Sequence, residues 1–162
     1  MCIRDSVTLA RAAGLGVDNG ILVDERLQTT QPGIYAAGDV ANYPDAMLGM
    51  RRRVEHADAA RAMGRAAGRN MAGAGEAYHY LPMFYSDLFE LGYEAVGQCD
   101  SRLEVVEDWR EEFKQGVLYY MQDGRVRGVL MIDVWEKVDE ARKVIESGAV
   151  EDTTTLIGRI SA

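Results

Sequence analysis

Asp39 closes the stretch TTQPGIYAAGD, Thr29 to Asp39, and its carboxylate can accept hydrogen bonds from the hydroxyls of a sugar or ribitol chain. Before it, Gly33 to Ala37 form an apolar run behind a Pro-Gly pair. The run is too short for a helix and predicts a buried central strand in a sheet covered on both faces. Gly38 then lets the backbone approach something bulky. A carboxylate just past the carboxyl end of such a strand stands where open α/β sheets bind ligands. The competing reading is an ordinary strand-end turn with a solvated Asp39, because Gly-Asp is common in turns.

A second group follows at Glu55 and His56, which open a helix predicted from about Val54 to Met71. A helix N-terminus offers free N–H groups and partial positive charge, a setting for developing negative charge on a ligand. The bland alternatives are a favourable first-turn acid at Glu55 and a hydrogen-bonded structural histidine at His56. Ala60, Gly64 and Gly68 recur on one face of this helix. Each glycine costs a helix about 1 kcal/mol against alanine, so the pair predicts close approach of another backbone or a ring. Tyr85 presents a flat aromatic face, with core packing as its alternative. Arg51, Arg52 and Arg53 read either as an anion partner or as a solvated charge run. His79 reads as a surface residue.

The elements that position these groups are legible in part. Val7 to Ala13 with Gly14 reads as a short helix ended by a glycine, Gly20 to Asp24 as a brief strand, and Asn42 to Met50 as a loop containing Pro44. Gly73 to Ala77 marks a domain boundary. Beyond it Leu81 to Phe89, Gly92 to Cys99 and Leu103 to Phe113 alternate as strands. Gly116 to Gln122 and Arg125 to Ile132 flank Asp123-Gly124, which predicts a type I′ hairpin. A last helix is expected after Asp133, capped by Asp133 with Glu136, with Val134, Val138, Ala141 and Ile145 as its apolar stripe and Gly148 as its stop. Met1 to Ser6 fits none of these elements and has no apolar segment after it to make a signal peptide.

Composition sets outer limits. The 162 residues are 27% charged and 48% apolar with a formal net charge of -8, which is ordinary for a soluble domain pair and argues against a nucleic-acid surface. No apolar stretch approaches the roughly 20 residues that span a bilayer. Cys2 and Cys99 form neither a redox pair nor a zinc spacing, and cytoplasmic residence is the default expectation. No Ser-His-Asp, metal or paired-carboxylate constellation is visible, and Trp109, Tyr119, Tyr120 and Trp135 read as core or interface residues.

TTQPGIYAAGD, LGMRRRVEHADAARAMGRAAGRNMAG (Leu48 to Gly73), MFYSDLFELGYEAVG (Met83 to Gly97) and GVLYYMQDGRVRGVLMIDVW (Gly116 to Trp135) resemble the flavoprotein reductases with two dinucleotide domains. The likeness is to the branch that holds apoptosis-inducing factor and the ferredoxin and rubredoxin reductases, and it runs from about Val7 to the last helix. It implies an α/β remnant of a FAD-binding Rossmann-like domain over residues 1–77, followed over 78–162 by an α+β C-terminal domain with an antiparallel sheet. It further implies a FAD enzyme fed by NAD(P)H. Gly38, Asp39 and Val40 would then lie at the ribitol and phosphates, and Glu55, His56 and Ala57 against the flavin ring, with Glu55 also near the nicotinamide. Tyr85 would stand beside the flavin, where relatives often carry Trp. Ala57 departs from relatives that have a second His there, which leaves only a backbone contact.

The resemblance also implies that most of the enzyme is missing. No GxGxxG loop follows a strand, and Gly14-Leu15-Gly16 follows a helix and lacks the third glycine. By itself the chain is therefore expected to be inactive. The activity implied for the whole is hydride transfer to flavin and delivery of electrons to an acceptor, which could be a protein. The alternative from another class is a non-catalytic dimerisation or partner-binding module derived from such a reductase.

Overall fold

A computed structural model describes residues 7–160, so Met1 to Ser6 lies outside the described residues. The chain forms two compact units, Met1–Tyr80 and Leu81–Ala162.

In the first unit, α1 (Thr8–Ala12) ends at Gly14, which takes φ +73° and donates its N–H to the Arg11 carbonyl at 3.0 Å. A small sheet follows, in which β1 (Ile21–Leu22) runs parallel to β2 (Ala41–Asp45) and β2 pairs antiparallel with β3 (Met50–Arg52). Two expectations change here. Gly33 to Ala37 is not a central strand: it makes only an isolated bridge, Gln28 to Tyr35, and Ile34 is 45% exposed. Among the described residues it has only the neighbouring turn 27–29 to pair with, so its apolar run stays a half-covered edge. The expected loop at Asn42 to Met50 is instead strand β2 and its turn into β3. Pro44 is tolerated because β1 pairs only with Ala41 and Asn42, so no ladder bond toward β1 is lost at Pro44.

Helix α2 (Ala57–Met71) buries Ala59, Met63, Ala66, Ala67 and Asn70 against Val23, Leu27, Ala41, Tyr43, Val54 and Tyr78. Burying side chains the size of Leu27 and Met63 stabilises by about 1.5–3 kcal/mol each. Gly64 and Gly68 lie on the opposite, exposed face with nothing within 4 Å of where a Cβ would stand. The close approach predicted for them is therefore not made among the described residues. After α2 the exposed segment 71–77 is anchored by Asn70. Its amide donates to the Arg26 and Glu76 carbonyls at 2.8 and 2.9 Å, and its Oδ1 accepts the Glu76 N–H at 2.8 Å.

The second unit is a five-stranded antiparallel sheet in the order β4-β5-β8-β7-β6, built from β4 (Met83–Leu88), β5 (Leu91–Gly97), β6 (Glu104–Glu111), β7 (Gln115–Gln122) and β8 (Arg125–Ile132). Asp123 and Gly124 take φ +51° and +72°, the conformation a type I′ turn requires at both positions. Helix α3 (Val138–Ser147) packs on β5 and β8 through Ala141, Val144 and Ile145 and stops at Gly148 with φ +57°. The capping box is not formed. Lys137 occupies the N-cap without a side-chain bond, and Asp133 and Glu136 are both left-handed, at φ +50° and +62°. Asp133 is instead held by donating its N–H to the Gly92 carbonyl at 2.9 Å. Val134 is buried outside the helix. The short α4 (Thr153–Leu156), capped by Asp152 accepting the Thr154 N–H, closes the unit.

Candidate functional site

Asp39 lies in a 3-10 turn, Gly38–Val40, between extended backbone at Ala37 and the start of β2. Gly38 takes φ +76°, and a Cβ there would come 3.4 Å from the Ala60 Cβ. Its N–H donates to the Met63 sulfur at 3.3 Å. The small-residue helix thus makes its close approach at Ala60 rather than at its later glycines. Gly20, at φ +116°, is needed for the same corner, since a Cβ on it would meet Arg53 Cδ and the Val40 oxygen at 2.7 Å each. Asp39 is half-buried, and no donor of the described residues bonds its carboxylate. Its backbone carbonyl accepts from Arg53 Nη1 at 2.9 Å.

Glu55 and His56 do not open the helix as predicted. His56 is extended, at φ −125° and ψ 138°, and stands at the N-cap without a side-chain cap bond, and Asp58 is the first-turn acid. Glu55 lies just outside, paired with Arg53 at 2.6 Å, the side chains being 48% and 12% exposed. Ala57 is the first helical residue, so the start of α2 has no side-chain cap at its leading backbone N–H groups.

Partial burial, and after it the Arg52 guanidinium, lowers the His56 pKa below its ordinary value of 6.5, against the pull of Asp39, Asp58 and Glu55. A depressed folded pKa contributes stability that is present above 6.5 and lost as pH falls from there through the folded value. Acidifying from neutrality to about pH 5 should therefore lower the thermal midpoint, and His56→Gln should flatten that part of the profile. Equal slopes in the two proteins would remove His56 as the cause.

The arginine run is engaged by the fold, although Arg51 is exposed. Arg51 donates to the Val23 and Asn42 carbonyls at 2.6 and 2.5 Å, Arg52 pairs with Asp45 at 3.3 Å, and Arg53 is engaged as described. Asp45 is itself 6% exposed and also accepts the Met47 and Leu48 N–H groups. Beside it Tyr43 and Tyr78 stack edge to face at 5.3 Å. Neither hydroxyl has a hydrogen-bond partner among the described residues, and burial pushes the Tyr43 hydroxyl up to about 12. Tyr43→Phe should leave stability unchanged or raise it by about 1 kcal/mol, read from the denaturation midpoint. A loss of that size would mean the hydroxyl is bonded in solution.

Gly38, Asp39, Val40, Glu55, His56 and Ala57 are brought together in the first unit. Tyr85 belongs to the second, on edge strand β4, where it is 68% exposed and so is not a core residue. Sequence reasoning missed Met63, Asn42 and the inward use of the arginines, whose only sequence signal is the basic triplet itself. A cleft of about 450 Å³ in the first unit is lined by Asp18, Asp24, Gln28, Thr30, Arg51 and neighbours. It includes Arg51 but none of Gly38, Asp39, Val40, Glu55, His56, Ala57 and Tyr85. Among the described residues no cluster of His, Cys, Asp or Glu could hold a metal, and no helix is long and apolar enough to cross a membrane.

The profile of the pyridine nucleotide-disulphide oxidoreductase family matches residues 3–64, and that of the apoptosis-inducing factor, mitochondrion-associated, C-terminal family matches 67–111 and 106–147. Apoptosis-inducing factor 1, mitochondrial, of Dictyostelium discoideum is 39% identical over 153 residues, covering 86% of this chain and 29% of that protein. The ferredoxin–NAD(+) reductase component of the Burkholderia cepacia anthranilate 1,2-dioxygenase system is 32% identical over 155 residues, covering 95% and 38%. Among solved structures, the ferredoxin reductase for the CYP199A2 system of Rhodopseudomonas palustris superposes with a TM-score of 0.82 at 26% identity, covering 91% of this chain and 37% of that one. The chain thus spans about a third of the length of these relatives, 29% and 38% for the two sequences.

Proposed function

Because the chain belongs to the pyridine nucleotide-disulphide oxidoreductases, with a second unit of the apoptosis-inducing-factor C-terminal type, we propose that it is the C-terminal part of a FAD-dependent NAD(P)H oxidoreductase. The whole enzyme passes electrons from NAD(P)H through FAD to an acceptor. FAD supplies the hydride-accepting ring when bound. This chain's own residues bind and orient it. The Asp39 carboxylate, half-buried and without a described donor, accepts from the ribitol hydroxyls. Gly38, left-handed and packed against Ala60, and Val40 would lie at the pyrophosphate side of the cofactor. The start of α2 at His56 and Ala57, which has no side-chain cap, offers N–H groups to the flavin pyrimidine edge, where negative charge develops on reduction. Glu55, paired with Arg53, would face the nicotinamide, and Tyr85 is assigned to the flavin on the resemblance alone.

The observation that carries this reading is the donor-free Asp39 carboxylate, half-buried in one corner of the first unit beside the close approach of Gly38 to α2. An acceptor and the positive end of a helix stand there together. An acceptor protein, a homodimer and residence in the cytoplasm belong to the same proposal. The last rests on the cysteine count alone, and two relatives are named mitochondrial. The deciding experiment is a FAD titration, by visible absorption and fluorescence, of the 162-residue chain and of a longer chain that supplies an upstream glycine-loop segment. Binding only by the longer chain supports the reading. Failure of both to bind FAD would remove it, and a chain that binds nothing but still dimerises would favour the interaction-module alternative.

A further inference from the structure

The chain's three asparagines are Asn19, Asn42 and Asn70, and the fold treats the first unlike the others. Asn42 Nδ2 donates to the Asp18 carbonyl at 2.6 Å and its Oδ1 accepts from Arg51 Nε at 3.3 Å. Asn70 uses both ends of its amide in the clamp on residue 76. These two are 6% and 5% exposed, and Tyr43 and Met71 follow them. Asn19 is exposed, no described residue bonds its amide, and Gly20 follows it.

Both partners of an intramolecular reaction are therefore open. The carbonyl carbon of an asparagine amide is an electrophile, and the backbone nitrogen of the next residue can close a ring on it. A side chain on that next residue obstructs the approach, and glycine has none. No acceptor among the described residues takes the Gly20 N–H. The bonds across this turn run instead from the Asp18 N–H to the Gly20 carbonyl and from the Leu22 N–H to the Gly16 carbonyl, both at 2.9 Å. The fold also enforces the pair. Asn19 is left-handed at φ +44°, where asparagine and aspartate are favoured among residues other than glycine. Gly20, at φ +116°, admits no Cβ, which would stand 2.7 Å from both Arg53 Cδ and the Val40 oxygen.

We propose that Asn19-Gly20 is a site of spontaneous deamidation whose rearranged product disturbs the Gly38 to Val40 corner. The Gly20 nitrogen bonds to Asn19 Cγ, the Cγ–Nδ2 bond breaks, and the displaced nitrogen leaves as ammonia with the proton that the Gly20 nitrogen gives up. Water, the only co-reactant, then opens the succinimide. Opening between Cγ and the Gly20 nitrogen leaves aspartate on an unaltered backbone. Opening between the backbone carbonyl carbon of residue 19 and that nitrogen leaves isoaspartate, which lengthens the main chain by one carbon. The turn that must take up this length is held at both ends, by the Asn42 amide on the Asp18 carbonyl and by the pairing of Ile21 with Ala41. Gly20 already lies close against Arg53 and Val40. Arg53 in turn donates to the Asp39 carbonyl and pairs with Glu55, so the displacement reaches the candidate site. A loss of FAD affinity rests on the proposed function; the modification itself does not.

The folded 162-residue chain is aged in neutral buffer and digested with trypsin. Peptide 12–26 carries Asn19 and no other side-chain amide, so the mass gain of an amide-to-acid conversion reads the site directly. Its conversion should outpace that of Asn42 and Asn70 by at least about tenfold, its two products should separate by chromatography, and Asn19→Gln should stay unconverted. Conversion of Asn19 no faster than that of the other two overturns the proposal, and a synthetic 12–26 peptide that converts in the same buffer would then assign the protection to the turn. Hydrogen exchange at Val40 to Asn42 reads the disturbance without a cofactor. The isoaspartyl form should exchange about threefold faster than the fresh chain, and Asn19→Asp should match the fresh chain; equal exchange in the isoaspartyl form overturns the disturbance. In the longer, FAD-binding chain the isoaspartyl form should bind FAD about tenfold more weakly than Asn19→Asp, and equal affinity overturns the link to the cofactor. A fresh longer chain that binds no FAD would sink the proposed function and leave the peptide and exchange results to decide the modification.

Discussion

Replacing Arg52 with alanine should destabilise the first unit by about 3 kcal/mol, because it strands a buried carboxylate. Asp45 has a side chain only 4% exposed, and its partner guanidinium is 17% exposed. The two N–H groups of Met47 and Leu48 stay in place, which holds the loss to the lower part of the range for a broken buried pair. Replacing both members, Asp45→Asn with Arg52→Met, removes the uncompensated charge, while the oxygen of the new side-chain amide can still accept the two N–H bonds. The double substitution should recover most of the loss. The readout is hydrogen exchange of the α2 amides, since Trp109 and Trp135 both lie in the second unit and report only on it. A cost below about 1 kcal/mol for Arg52→Ala would mean that solvent reaches Asp45.

Asp39→Ala, in the whole enzyme, should weaken FAD binding by about ten- to a hundredfold, the loss of hydrogen bonds to a charged acceptor. The flavin-to-protein ratio on purification and a titration of the apoprotein both read it. No described donor uses the Asp39 carboxylate, so the substitution removes no hydrogen bond from the fold, and the thermal midpoint of the apoprotein near neutral pH, where the Asp39–His56 attraction is weak, should move little. Asp39→Asn keeps one acceptor oxygen and should fall between. Full flavin occupancy in Asp39→Ala would exclude the carboxylate from the site.

Where one stretch of chain determines its own conformation, reading the sequence succeeded. Asp123-Gly124 needs two positive φ angles and has them, Gly14 and Gly148 end their helices, and the alternation from Met83 onward gives the five-stranded sheet. Where a partner elsewhere decides, it failed. Gly33 to Ala37 has the composition of a central strand, but among the described residues only one turn lies alongside it. Asp133 and Glu136 have the spacing of a capping box, yet the Gly92 carbonyl claims the Asp133 N–H and the chain turns left-handed before the helix begins. Arg51 to Arg53 look like a surface charge run because nothing local announces the Val23, Asn42 and Asp45 oxygens that they reach. The candidate site divides in the same way. Gly38 and Asp39 are legible as a break in the chain, but the strand they adjoin is β2 after them and not Gly33 to Ala37 before them, and Glu55 lies outside α2, paired with Arg53.

The Asn70 clamp bears on how the chain would respond to proteolysis. Segment 71–77 is exposed and contains Gly73 and Gly75, which makes it the natural target for a protease. Beyond the glycines, however, residue 76 is gripped through both its N–H and its carbonyl, and Tyr78 is buried with its N–H on the Glu25 carbonyl at 2.7 Å. A cut between 73 and 75 would therefore sever the peptide without freeing the downstream piece. The nicked protein would run as two fragments in denaturant and elute as one species without it, until Asn70 was replaced by a residue that cannot hold the strand end.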